Sequence, residues 1–271
     1  MSGLIPIEDP GDPRIAVFRD VRERDIVGRE GFIAEGTVVL DHFLASERFR
    51  PTALLVLRNR LDGLRDRLLQ VPRDVPVYVA ERPVIDAIAG FPMHRGVLAH
   101  GERRAPVEDA ALLPRLAASG GLVLLAVGIA NHDNVGAIFR NAAAFGVSAV
   151  LLDETACDPL YRKALRVSVG TVLSLPWSRG GTAEAHAATL AGLGFRCLAL
   201  TPRGATPLGS LERGDGAVAL FLGAEGPGLP GPVMSGMETL RIEMAPGLDS
   251  LNVATAAAVA LHHLYSRAPP A

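Results

Sequence analysis

Lysine is almost missing from this chain: Lys163 is the only one, and the remaining 26 of its 27 basic residues are arginine. A Walker A loop, which needs Gly-Lys-Ser/Thr, is therefore excluded. Schiff-base chemistry would have to use Lys163, so ATP-driven and pyridoxal-type functions fall away. Cysteine is equally scarce. Cys157 and Cys197 are too few for a disulfide framework or a four-cysteine metal site, and no metal is expected. No apolar run reaches the roughly 20 residues that span a bilayer. The acidic, proline-punctuated start from Met1 to Asp12 does not resemble a signal peptide. A cytoplasmic protein with no membrane association is the expectation. Net charge is nearly absent too, at −2, which excludes a coat for nucleic acid while leaving room for a local basic patch. What the chain does have is length and apolar content. Its 271 residues, 49% hydrophobic, suffice for one large domain or two ordinary ones.

The patterning favours two α/β units with a boundary near residue 110. In the first hundred residues, helical periodicity over Glu35–Glu47, Arg58–Gln70 and Arg82–Ala89 alternates with strand-like runs at Thr52–Leu57, Val75–Ala80 and Gly96–His100. Gly101–Gly121, carrying Pro106, Pro114 and a Gly-Gly pair, reads as a linker with one helix. The alternation then restarts. Strands are expected at Leu122–Val127, Ser148–Leu152, Phe195–Leu200, Ala217–Leu222 and Thr239–Met244. Helices are expected at Val135–Phe145, Tyr161–Val169, Ala183–Leu193 and Leu251–Ser266. Strands that are apolar throughout, alternating with helices, imply a parallel sheet covered on both faces.

In such sheets ligands bind beyond the carboxyl ends of the strands, and three loops there carry unusual residues. The first is GIANHDNVGAIFR (Gly128–Arg140), where Asp133 or Asn134 can cap a helix and Arg140 lies on an otherwise apolar helix. An arginine so placed is either buried against an acid or aimed at an anion. The second is GAEGPGLPG (Gly223–Gly231), whose GPGLPG matches the dinucleotide fingerprint letter by letter. Pro230 and Pro232 interrupt it, and no room remains for the long helix that motif requires, so a nicotinamide oxidoreductase is disfavoured. The third is APGLDSLN (Ala245–Asn252), where Asp249 or Ser250 can cap the last helix and Asn252 suits side-chain hydrogen bonding.

Taken together, Asn134-x-Gly136-x-x-x-Arg140, LGAEGPGL (Leu222–Leu229) and IEM…GLDSLNVA (Ile242–Ala254) resemble, in order and spacing, the three motifs of the SpoU/TrmH-type RNA ribose 2′-O-methyltransferases of the SPOUT superfamily. DPLYRKALRVSVG (Asp158–Gly170) is similar to the stretch between the first two motifs. FIAEG (Phe32–Gly36) and HRGVLA (His94–Ala99) are similar to parts of the family's smaller substrate-binding domain. The resemblance implies an RNA-binding domain over 1–105, a linker over 106–120 and a methyltransferase domain over 121–271. The latter would be a parallel-sheet domain tied in a trefoil knot, an exception to the rule that chains do not thread themselves. It further implies S-adenosylmethionine held by the backbones of Gly223, Ile242 and Leu251, functional side chains at Asn134, Arg140, Glu225, Ser250 and Asn252, and a homodimer packed through the knotted domain. His132, Asp133 and Glu243 depart from the family's usual residues without removing any of these positions.

Arg140 matches the arginine that the family proposes as base. A guanidinium holds its proton tightly, and a bidentate clamp on the phosphate beside the target ribose suits it better. Glu225 could pair with Arg140 or hold the ligand. Arg162, Lys163 and Arg166, at helical spacing beside the motifs, form a candidate phosphate-binding surface, and arginines 58, 60, 65 and 67 invite the same reading more weakly. The expected function is 2′-O-methylation of RNA, ribosomal rather than transfer. The alternative is a knotted RNA-binding or ribosome-assembly protein without turnover.

Overall fold

The computed structural model describes residues 3–19, 31–90, 95–104 and 109–267. His94 of the HRGVLA motif and residues 106–108 of the expected linker lie outside them. The chain forms two compact units. One comprises Met1–Pro106 with Leu160–Ser174; the other comprises Val107–Pro159 with Leu175–Ala271. Leu160–Ser174, which the sequence places inside the second domain, thus packs with the first unit.

The first unit contains β1 (Leu4–Ile7), β2 (Gly31–Glu35), α1 (Thr37–Leu44), β3 (Phe49–Leu57), α2 (Leu61–Gln70), β4 (Val77–Ala80), α3 (Arg82–Ala89) and β5 (Val97–Arg103). Its five-stranded sheet has the order β1-β4-β3-β5-β2 and is mixed: β4 runs parallel to β1 and β3, whereas β5 is antiparallel to β3 and β2. Helical periodicity from Glu35 conceals β2, because Phe32–Glu35 are buried whichever element they form. Ile33, Leu55, Leu98 and Ile85 meet in one core, each burial contributing about 1.5–3 kcal/mol. The inserted segment carries α6 (Arg162–Val167), whose Ala164 and Leu165 are fully buried. Arg162 Nη1 donates to Glu35 Oε2 at 3.0 Å, with the two side chains only 14% and 5% exposed, and Ser46 Oγ donates to the Leu173 carbonyl.

The second unit contains α4 (Asp109–Ala118), β6 (Leu122–Ala126), α5 (His132–Ala144), β7 (Ala149–Leu152), β8 (Trp177–Arg179), α7 (Ala183–Gly192), β9 (Arg196–Leu200), β10 (Thr206–Pro207), β11 (Val218–Leu222), α8 (Gly231–Met234), β12 (Glu238–Arg241) and α9 (Val253–Ser266). Its seven strands, in the order β10-β12-β9-β11-β6-β7-β8, are all parallel. Every residue of β6, β7 and β11 is buried, as strands covered on both faces require. From β6 the chain proceeds outward through β7 and β8, then restarts on the other side with β9. Because all strands point the same way, the loops leaving β6, β9, β11 and β12 emerge along one edge, the position where open α/β sheets bind ligands. Phe139 of α5 packs edge-on against Trp177 of β8, anchoring the helix that follows the β6 loop. Among the described residues, no helix is long and apolar enough to cross a membrane.

Candidate active site

The loop after β6 is shaped by a carboxylate from the next strand. Asp153, only 4% exposed at the end of β7, accepts hydrogen bonds from the Gly128 and Ala156 amides at 2.9 and 3.0 Å and from Thr155 Oγ1 at 2.6 Å. Gly128 adopts φ +67°, and its backbone sits so close to the β11 loop that a Cβ there would lie 3.3 Å from Ala224 Cβ. In the sequence Asp153 is marked only by being a carboxylate directly after an apolar strand, and no motif includes it.

The helix cap differs from expectation. Asn131, rather than Asp133 or Asn134, caps α5, its Oδ1 accepting from the Asp133 amide at 2.8 Å. Asn134 is thereby left inside the first turn, 6% exposed, and its Oδ1 accepts from Asn252 Nδ2 at 2.9 Å. The same Nδ2 donates to Glu225 Oε1 at 2.9 Å. Asn252 is also the cap of α9, in place of Asp249 or Ser250: its Oδ1 accepts from the Ala254 and Thr255 amides at 3.0 and 3.2 Å. One amide side chain therefore uses its acceptor to start a helix and its two donors to fasten the other two motif loops. Asn141 Nδ2 adds a second tie between the helices, donating to the Ala254 carbonyl at 2.9 Å.

The second and third motif loops line a cavity of about 390 Å³, whereas the first motif reaches it only through the Asn134–Asn252 bond. Gly223, Ile242 and Leu251, expected at a cofactor, all line it, as do Glu225, Ser250 and Asn252. Leu200, Thr201 and Pro202, which follow β9, complete the wall; no motif marked them in the sequence. Gly223 has no space for a side chain, since a Cβ would approach the Gly228 carbonyl carbon and the Leu229 nitrogen to 2.3 Å. The GPGLPG run behaves as the proline positions foretold. Gly226 and Gly228 take positive φ in a tight turn, and only the four-residue α8 follows, so no dinucleotide-type helix exists here.

Arg140 stands apart from this cluster. It is exposed on α5, does not line the cavity, and makes no hydrogen bond or ion pair among the described residues. The option that Glu225 pairs with Arg140 gives way to the Glu225–Asn252 bond. Of the expected RNA-facing cluster, Arg162 is engaged with Glu35, while Lys163 and Arg166 are half-buried. Both cysteines are unsuited to nucleophilic catalysis. Burial, reinforced by Asp158, pushes the Cys157 thiol up to about 12, and burial raises Cys197 as well, so neither supplies a thiolate at neutral pH.

Asn252→Ala is expected to destabilise the second unit by about 2–4 kcal/mol, combining a lost cap with a buried Asn134 carbonyl left unpaired. Asn252→Asp keeps the cap but sets a carboxylate against Glu225 in place of the donors. Urea melts of the three proteins should therefore rank wild type above Asp and Asp above Ala.

A model of the SpoU rRNA Methylase family matches residues 121–262, more than half of the chain. An uncharacterized tRNA/rRNA methyltransferase of Mycobacterium bovis is 42% identical over 267 residues, covering 94% of this chain and 89% of the relative. The 23S rRNA (guanosine-2′-O-)-methyltransferase RlmB of Acinetobacter baylyi is 28% identical over 234 residues, covering 84% and 94%. Among solved structures, an AdoMet-bound rRNA methyltransferase from Sinorhizobium meliloti superposes with a TM-score of 0.80 at 22% identity, covering 96% and 97% of the two chains. An RNA 2′-O ribose methyltransferase gives 0.79 at 22%, covering 98% and 99%. The chain belongs to the SpoU rRNA Methylase family of RNA methyltransferases.

Proposed function

We propose that this protein transfers a methyl group from S-adenosylmethionine to a ribose 2′-hydroxyl of RNA, ribosomal RNA in preference to transfer RNA. The observation that carries the reading is that the second and third motif loops line one cavity, and that Asn252 on its wall ties Glu225 and, behind it, Asn134 of the first motif together. The cavity suits the donor. Leu222, Leu229, Ile242 and Leu251 offer an apolar slot for an adenine ring, the bare backbone at Gly223 leaves room for directional main-chain contacts, and the Glu225 carboxylate complements a positively charged sulfonium. When bound, the donor supplies an electrophilic methyl group.

The chain's own residues have the other tasks. The acceptor hydroxyl is a poor nucleophile, so its oxygen must be aligned and its proton polarised or removed. Ser250, on the cavity wall, is placed to orient the ribose. Asn134 and Asn252 fix the wall. Arg140 is assigned to the phosphate next to the target sugar, a bidentate contact that a guanidinium makes well. The reading includes the trefoil threading and a homodimer through this domain, where the alanine-rich α9 leaves Val259 and Tyr265 exposed. It also includes an RNA-binding role for the N-terminal part of the chain. The preference for ribosomal RNA draws on the family's description and on the printed activity of the Acinetobacter relative.

Calorimetric titration with S-adenosylmethionine and its demethylated product should give saturable binding. Tritiated donor should label deproteinised ribosomal RNA at 2′-O-methyl nucleosides, recovered after nuclease digestion. Absence of donor binding even with RNA present overturns the reading, and RNA binding without methyl incorporation would indicate a protein that keeps the fold but not the reaction.

A further inference from the structure

A second cavity lies wholly within the first unit, and its chemistry is different. It measures about 410 Å³ and is walled by Gly36, Thr37, Val38, Gly63 and Leu64 together with Arg60 and Arg95. Among the described residues, no carboxylate lines it. Arginine in this unit is otherwise commonly matched: Arg14 with Asp12, Arg58 with Glu81 and Arg67 with Asp41, each at 2.6 Å, and Arg50 with Glu102 at 3.1 Å. Arg60 and Arg95 are exceptions. Both are exposed, and neither has a hydrogen bond or ion pair among the described residues.

Their positions are set by glycine. Gly36 and Gly96 adopt φ of +97° and +75°, conformations that glycine takes without strain. A Cβ on Gly36 would lie 2.9 Å from Arg95 Cδ, and one on Gly96 would lie 2.5 Å from Arg60 Cγ. Each arginine stem therefore lies flat on bare backbone, which orients its guanidinium before any ligand arrives. Between them the first turn of α1 opens without a side-chain cap, because the cap position is Gly36 itself. Two unopposed guanidinium groups beside an uncapped helix start form a site for a compact oxyanion.

We propose that this cleft binds a backbone phosphodiester of the substrate RNA, with Arg60 and Arg95 as its two clasping cations. The proposal rests on the RNA-methyltransferase reading above and adds a contact in the other unit. It also narrows the arginine cluster 58, 60, 65 and 67: Arg58 and Arg67 are spent on carboxylates, whereas Arg60 faces the cleft.

The test compares the full-length wild type with R60Q/R95Q and R60K/R95K, using deproteinised 23S ribosomal RNA in filter binding across a salt series. R60Q/R95Q should bind about tenfold or more weakly at low salt, and the slope of log affinity against log salt should flatten by about one, since each lost phosphate contact removes a little under one. R60K/R95K should recover part of both, having the charge without the fork. S-adenosylmethionine binding and melting temperature should match wild type in both variants, which separates lost contact from misfolding. If wild type binds and methylates the RNA and R60Q/R95Q retains its affinity and slope, the cleft assignment fails alone. If wild type binds no RNA, the cleft and the RNA reading fall together.

Discussion

Replacing Arg140 by alanine is expected to slow methyl transfer by about 100- to 1,000-fold while leaving S-adenosylmethionine binding within a few-fold of wild type. The two proposed roles fall on different residues. Arg140 is exposed and unpaired among the described residues, and it is not part of the cavity wall. Removing it should change stability by no more than about 0.5 kcal/mol, the usual range for such surface positions. Its proposed task is to hold the RNA phosphate so that the ribose oxygen lies in line with the methyl carbon. Misplacement by about an ångström costs on the order of 100-fold, and loss of a positioned donor costs about 100- to 1,000-fold. Single-turnover rates on ribosomal RNA, with donor binding measured in parallel, should show a fall of that size in rate alone. Arg140→Lys should recover only a fraction, because an ammonium cannot make the forked contact. Full activity in the alanine variant would remove Arg140 from the mechanism.

The second large effect is expected at Gly223, and it has the opposite pattern: donor binding goes first. Gly223→Ala forces a methyl group to within 2.3 Å of two backbone atoms at Gly228 and Leu229. Backbone cannot rotate away as a side chain could. The turn must open instead, breaking the hydrogen bond that the Gly228 N–H donates to the Ala224 carbonyl and shifting Leu229, which is buried in the core. Overpacking of this kind costs about 1–3 kcal/mol. Because the same turn carries Glu225 and forms one wall of the cavity, donor affinity should fall by at least about 100-fold. Calorimetry and thermal melting would both record the change. Near-wild-type affinity would mean that the cavity is not where the donor binds.

Much of the second unit is legible in the sequence because its strands are apolar from end to end. β6 and β11 can be nothing but buried, and their alternation with helices implies the parallel sheet that is found. Shorter pieces escape. β1 contains Pro6, β2 begins at Gly31, and β8 is only three residues long, so neither periodicity nor length marks them. Candidate site residues could be named through motif resemblance; of these, Gly223, Ile242 and Leu251 line one cavity. The hydrogen bonding among them could not be named. Asn131, Asp133 and Asn134 are all competent caps by local chemistry, and the choice among them is settled by Asn252, whose donor claims Asn134 from 118 residues away. The pairing of Arg162 with Glu35, 127 residues apart, is hidden for the same reason, and it removes one arginine from a cluster that looks uniformly basic in the sequence.

The excursion of Leu160–Ser174 into the first unit bears on how the protein can be dissected. A single cut near residue 120 would not yield two self-sufficient halves. The upstream fragment would lose the partner that covers β2 and leave Glu35 as a solitary anion. The downstream fragment would carry Ala164, Leu165, Val172 and Leu173 as a greasy flap with nothing to rest on. Clean separation requires excising that stretch and rejoining Pro159 to Leu175, or supplying it in trans. Expression trials that truncate at the family boundary alone should be read with that in mind.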